Sequence, residues 1–326
     1  MFKSAVLSCA VVAAATLTAC NGGNATPPAG TAVPSLSIGP RHASATARSS
    51  HARSWMSPAA KSQALAYVTD PGTNTVVVYS YPKLKLVGTL AGFDNPQGDC
   101  VDASGNVWIV NTQASQLLEF AHGGTKPIAT LSDPGQYPTG CSFDPTTGNL
   151  AVSNFYTTSG PPGSVSIYTG ATGSPSTYSP PNFAVVYFLG YDKKGTLYLD
   201  GIDSGSSFLF DSFDGKKFES IMLDRSIVGP GTVQGLGDRV VIGDQANGNN
   251  AAYAFKITGS KGTLVKTTPL TGTNDVVQFD IYKNALVGAD YNSNGSSVDR
   301  FKYPAGGLPV KSTPGLSAPI GTVISP

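Results

Sequence analysis

Histidine is scarce in this chain, which limits the chemistry open to it. His42, His51 and His122 are the whole set, and the first two lie in a stretch without apolar periodicity. His122 sits in Ala121-His122-Gly123-Gly124, the composition of a surface turn between strands. A Ser-His-Asp hydrolase therefore has no base in a suitable setting. No His/Cys cluster has zinc spacing, and no Gly-rich loop opens a helix to cradle phosphate. Glutamate occurs only as Glu119 and Glu219. What does recur is an Asp or Asn closing an apolar run: Asp70, Asn111, Asn154, Asp244 and Asp290. Two readings stand for these five. Asp and Asn side chains bond the backbone two residues on and so start turns. Oxygen donors arranged in a ring could instead face a hard cation such as Ca²⁺.

The elements behind these residues are set by an internal repeat. Pro96-Gln-Gly-Asp-Cys-Val-Asp-Ala-Ser-Gly-Asn-Val-Trp-Ile-Val-Asn111 is followed by Pro138-Thr-Gly-Cys-Ser-Phe-Asp-Pro-Thr-Thr-Gly-Asn-Leu-Ala-Val-Ser-Asn154, with Gly98 matching Gly140 and Asp102 matching Asp144. Looser copies pass through Leu189–Gly201, Gln234–Asp244 and Phe279–Asp290. Each unit holds about four short strands with Gly/Asp/Asn turns, the signature of a β-propeller blade. Five full blades fall over 96–131, 138–179, 183–223, 229–270 and 275–313. Residues 64–90 offer three strands only, and Pro319–Ser325 offers one unpaired strand. The C-terminal strand is therefore expected to complete the first blade and close a six-bladed, all-β ring of four-stranded blades, which removes open sheet edges.

Cys100 and Cys141 fall on the inner strands of adjacent blades, offset by one residue against the shared Gly and Asp. Strand side chains alternate faces, so the offset turns the two thiols toward each other across the gap between sheets. A disulfide is expected if the Cα atoms approach within about 7 Å, and otherwise two independent buried thiols.

The first twenty residues form a different region. Lys3 precedes an Ala/Val/Leu run from Ala5 to Leu17, shorter than the roughly 20 residues a bilayer span needs and of secretory-signal form. It ends in Leu17-Thr18-Ala19-Cys20, which resembles the lipobox of bacterial lipoproteins. That resemblance implies cleavage before Cys20, a diacylglyceryl group on its thiol and a place in the bacterial cell envelope, anchored to the membrane by the lipid and facing the periplasm or the exterior. Residues 21–63 are rich in Ala, Ser, Pro, Thr and Gly and read as a disordered tether with a reach of about 35 Å. The tether is basic: no acidic residue precedes Asp70, whereas Lys3, Arg41, Arg48, Arg53 and Lys61 do. The domain over 64–326 is thus net acidic although the whole chain carries +1, and a nucleic-acid partner is not expected.

Composition agrees with this division. Only 13% of the 326 residues are charged, while Gly 38 and Pro 24 supply turns and tether, which disfavours a helical bundle. A hydrophobic share of 40% excludes wholesale disorder.

Ala66-Tyr-Val-Thr-Asp-Pro-Gly-Thr-Asn-Thr-Val-Val-Val-Tyr79 resembles a YVTN-type propeller repeat, and Pro96–Asn111 resembles an NHL repeat and the blades of gluconolactonase and regucalcin-type lactonases. Those lactonases imply a divalent cation at the channel mouth, held by a Glu early in the first blade with Asn and Asp from others. No Glu stands in the first blade here.

Loops after the second strands share one face with the connections between blades. That upper face carries Tyr137, Phe155, Tyr156, Phe183, Asp203 and Tyr291, an aromatic and acidic set suited to binding. The opposite turns carry Lys83, Lys126, Lys193, Lys194, Lys216, Lys217, Arg239, Lys261 and Lys283. The tether is expected to join on this basic side, which would then look toward an anionic membrane. The functional expectation is a monomeric, lipid-anchored, non-catalytic module that binds a protein, glycan or small molecule through its upper loops. The alternative is a Ca²⁺-dependent lactonase or hydrolase.

Overall fold

The repeat folds as six antiparallel sheets arranged in a propeller. The computed structural model describes residues 53–245, 250–292 and 294–326. The signal segment, Cys20, His42, His51 and the tether up to residue 52 lie outside the described residues.

Blade 2 is typical, running outward from the axis as Pro96–Val101, Val107–Asn111, Gln116–Phe120 and Pro127–Ser132. Blades 3, 4, 5 and 6 begin at the axis with Gln136–Phe143, Val185–Tyr191, Pro230–Leu236 and Val276–Tyr282. In blade 1 the innermost strand is Thr322–Ser325, paired antiparallel to Leu65–Asp70 with Leu65 opposite Ser325. The expected closure by the C-terminal strand is what the chain does. Among the described residues no helix is long and apolar enough to cross a membrane.

Packing explains the sequence pattern. A blade is covered by a neighbour on both sides, so its central strands are apolar in both directions. In Leu65–Asp70 every residue is buried. Leu65 and Tyr67 pack toward blade 2 with Ile109 and Phe120, whereas Ala66 and Val68 pack toward blade 6 with Val287 and Val298. Each such large side chain contributes about 1.5–3 kcal/mol of burial. Outer strands lose one neighbour and turn polar, as in the mostly exposed Pro127–Ser132. Near the axis the strands approach backbone to backbone. A Cβ on Gly98 would strike the Thr139 carbonyl, and one on Gly190 the Val233 carbonyl. This close approach accounts for the glycine in the repeat.

Cys100 and Cys141 are bridged, with Cα atoms 5.6 Å apart. The one-residue offset thus aims the two side chains into the same gap, between blades 2 and 3.

Two features depart from expectation. The tether was expected to run through residue 63, but Trp55–Met56 pairs with Gly88 and Thr89 as a fifth strand on the outer edge of blade 1. Gly88 leaves room for the Met56 sulfur, which a Cβ there would displace. This strand runs down from the upper end of blade 1, where the Ser54 hydroxyl meets the Ala91 backbone. The chain therefore joins the propeller on the upper side of this outer edge, not from the basic turns. The lower turns are also less basic than their lysines suggest, because Asp102, Asp144, Asp192 and Asp214 hold the backbone of the same hairpins. The second departure is at 222–223. Blade 4 ends at Ser220, and Met222–Leu223 crosses to pair parallel with Lys261 and Gly262 of blade 5.

Candidate functional site

The five strand-end residues were read either as turn formers or as a ring of cation ligands. Each is buried, and four of them hold the loop that leads into the inner strand of their own blade. Asp70 accepts the amides of Ser317 and Ala318 at 3.0 and 2.8 Å. Asp244 accepts Val228 and Gly229, Asp290 accepts Asn274 and Asp275, and Asn111 accepts Asp94. In blade 3 the polarity is inverted. Asn154 donates to the hydroxyls of Ser164 and Ser166, and Ser166 in turn donates to Asp133 of the incoming loop at 2.9 Å. Burial pushes the Asp133 carboxyl up to about 6, against the pull of Ser166 and Asn154. Blade 4 has Gly201 at this place because a Cβ would collide with the Val185 carbonyl and the Phe183 ring. The structure does not bring the five together. Among the described residues no group of three or more His, Cys, Asp or Glu stands close enough to hold a metal ion.

The upper-face aromatics divide. Tyr137 and Tyr156 lie 5.2 Å apart between ring centres, Phe155 meets Tyr156 at 4.7 Å, and Tyr187 closes on Phe155 at 5.0 Å. Gln113 donates to the Tyr137 hydroxyl at 2.6 Å. Tyr291 of blade 6 packs against the wider hydrophobic core that these rings belong to, and Tyr156 and Tyr291 are each half-exposed. Tyr187 was missed in the sequence because it looked like one more apolar residue of an inner strand. Phe183 does not join this group: it is 2% exposed and packs in a separate core with Val165 and Leu199. Asp203 also stands apart, accepting the amides of Gly205 and Ser207 in its own hairpin. Phe183, expected at a ligand face, is part of the scaffold core.

His122 is half-buried, not a free surface turn. Its Nδ1 lies 2.6 Å from the Ser325 hydroxyl and its Nε2 lies 3.1 Å from the Gln63 carbonyl, while Ser325 donates to the Gly105 carbonyl. The group latches the closing strand to blade 2.

A polar site that the sequence did not single out lies in the central channel. The lower halves of the inner strands enclose a cavity of about 220 Å³, with walls from all six blades. Asp99, 1% exposed, lines it, and neither of its carboxyl oxygens has a hydrogen-bond partner in the protein. Burial drives the Asp99 carboxyl well above the ordinary aspartate range, and the charge of Asp280 adds to this. Asp280 lines the same cavity and accepts Ile324 N–H at 2.9 Å and the Gln234 amide at 2.7 Å. Its carboxyl is also raised by burial, with those hydrogen bonds acting the other way. Gln278 reaches from blade 6 to donate to the Asp99 carbonyl at 2.9 Å. The Thr322 hydroxyl is buried nearby and also has no hydrogen-bond partner in the protein. The one sequence signal was an aspartate inside an inner strand, at the position that Cys141 occupies in the next blade.

No family model matches the chain, and no curated protein matches it. Solved structures do share its fold. A chain in the crystal structure of a nidogen/laminin complex aligns with a TM-score of 0.64 at 11% identity, covering 80% of this chain and 98% of that one. A protein of unknown function from Bacteroides caccae aligns at 0.61 and 11%, covering 81% and 99%. At such identity the likeness establishes the propeller and nothing about ligands.

Proposed function

We propose that this chain is an envelope lipoprotein, anchored through Cys20, whose propeller is a non-catalytic binding module. The ligand surface is the aromatic cluster on the upper face, where Tyr137, Phe155, Tyr156 and Tyr187 pack in tilted and edge-to-face pairs at 4.7–5.2 Å and Tyr156 is half-exposed. That cluster is the observation that carries the reading. Edge-to-face packing against the buried Phe155 and Tyr187 holds the Tyr156 ring rigidly at the surface, and the Gln113 amide on the Tyr137 hydroxyl fixes the orientation of its neighbour. Such a platform with a polar rim suits the C–H face of a sugar ring, so a glycan is the ligand class we favour. The lactonase alternative would need the strand-end oxygens at one point, and each is instead bonded within its own blade.

Calorimetric titration of the full-length protein with soluble oligosaccharides tests this. Tyr156→Ala is expected to weaken binding at least about tenfold, or about 1.4 kcal/mol, with an unchanged melting temperature. Binding that is indifferent to Tyr156 would place the ligand elsewhere. The anchor is tested separately: Cys20→Ala should lose labelling by a fatty-acid probe and leave the membrane fraction, and an unlabelled wild-type protein would refute it.

A further inference from the structure

Another cavity lies on the lower side of the ring, in the gap between blades 2 and 3, with a volume of about 620 Å³. Small-molecule sites span roughly 300–1,000 Å³. Its floor is a tilted ring pair, Trp108 and Phe143, with centres 6.1 Å apart. Trp108 is buried and supports the half-buried Phe143, while the exposed Ala103 and Pro145 and the half-buried Ala171 extend the apolar wall. The charge here has one sign: Asp102, Glu119 and Asp144 line the cavity, and no Lys, Arg or His does. The three carboxylates differ in what they still offer. Both oxygens of Asp102 and of Asp144 accept hydrogen bonds within their own hairpins. Asn106 Nδ2 lies 3.1 Å from Asp102 Oδ2 and 2.8 Å from Glu119 Oε1, so one amide joins these two carboxylates. Glu119 is half-exposed, and its Oε2 accepts no hydrogen bond among the described residues. Burial and the charge of Asp102 raise the Glu119 carboxyl, against the pull of Asn106, and a cation beside Oε2 would offset that repulsion. The buried indole N–H of Trp108 is also without an acceptor, so the cleft is incompletely matched by the chain's own groups. The Cys100–Cys141 bridge joins the same two blades, which fixes the width of the cleft in advance and lowers the ordering cost of binding.

We propose that this cleft binds a small organic amine, with its ammonium on Glu119 Oε2 and its apolar body against Phe143, Pro145 and Ala171. One open carboxylate oxygen suits a single monovalent head, whereas a hard metal ion takes about six oxygen ligands. The apolar wall rewards a cation that carries hydrocarbon. Asp102 and Asp144 add attraction at longer range without giving up their own hydrogen bonds. The cleft and Tyr156 lie on opposite sides of the ring, so this site does not depend on the glycan reading.

The test is calorimetric titration of the full-length protein with phenethylamine, with phenethyl alcohol as a neutral probe of matching shape. Trp55 and Trp108 are the two tryptophans of the chain, and Trp55 lies on the outer edge of blade 1. A Trp55→Phe protein therefore reports the cleft floor through Trp108 emission alone. The expected result is saturable binding of one amine per chain at millimolar concentration, with a Trp108 emission change that saturates in parallel. The alcohol should bind at least about tenfold more weakly. Glu119→Gln should weaken amine binding by a similar factor with an unchanged melting temperature, and Tyr156→Ala should leave it unaltered. Absence of saturable heat with the amine would overturn the proposal, as would equal binding of amine and alcohol to the wild-type protein. Amine binding that persists at full strength in a folded Glu119→Gln protein would overturn it too, and would assign the amine to other surface carboxylates.

Discussion

Asp70 and Asp99 are both buried aspartates near the closing strand, and the fold treats them in opposite ways. Asp70 is met by two backbone amides from the loop that carries the chain into Thr322–Ser325. Asp99 lies against the same strand near Gly321 and is met by none at its side chain. The first arrangement repeats in blades 5 and 6 and in amide form in blade 2, so it is a device of the architecture. Among the described residues, an aspartate with both oxygens buried and unmet occurs only at Asp99. A buried carboxylate with donors is a joint. Without them it is a carboxyl that burial pushes well above the usual aspartate range.

The sharpest way to break this contrast is Asp70→Ala. It strands the amides of Ser317 and Ala318 and should cost about 3 kcal/mol, seen as a fall of roughly 5–10 °C in melting temperature. A change below about 1 °C would mean that the strand-end contacts are incidental. Asp133 falls between the two cases, with a donor from Ser166 but a carboxyl raised to about 6. Its folded form holds a proton more tightly than the unfolded chain does. Its contribution is therefore fully present below about pH 4 and is lost as pH rises toward about 6, a change on the order of 2–3 kcal/mol. Asp133→Asn should flatten that part of the stability-versus-pH curve in denaturant titrations, and an unaltered slope would refute the assignment. The smallest effect belongs to Asp99→Asn at neutral pH. Replacing this unpartnered carboxyl, which burial pushes toward its neutral form, with the neutral amide should leave the melting temperature unchanged or raise it by about 1–2 °C. A large loss would show that Asp99 is held by partners, as Asp70 is.

Much of the ring was legible because it depends on periodic patterns. The match of Gly98 to Gly140 marks backbone contact between blades, and the offset of Cys100 and Cys141 marks which faces meet. Strand-end Asp and Asn were legible as a recurrence, and their turn role follows from local chemistry. Three-dimensional sorting was not legible. Phe155 and Phe183 look alike in sequence, yet one joins the mouth cluster and the other fills a core. Trp55–Met56 is too short to stand out as a strand, and its pairing with Gly88 and Thr89 reverses the side from which the chain arrives. Asp99 was hidden because its isolation depends on what blades 1 and 6 place opposite it, and no local pattern records that.

The pairing of Leu65 with Ser325 also orders events in time. Blades 2 to 6 are built from consecutive hairpins, which form from nearby segments. Blade 1 joins strands from opposite ends of the folded region, a contact of the kind that slows folding. Until it forms, Tyr67 and Val68 lack their inner neighbour and the channel has an open side. Ring closure is thus the step at which the cavity comes into being, and until the last blade locks a half-made propeller exposes strand edges that a second chain could occupy.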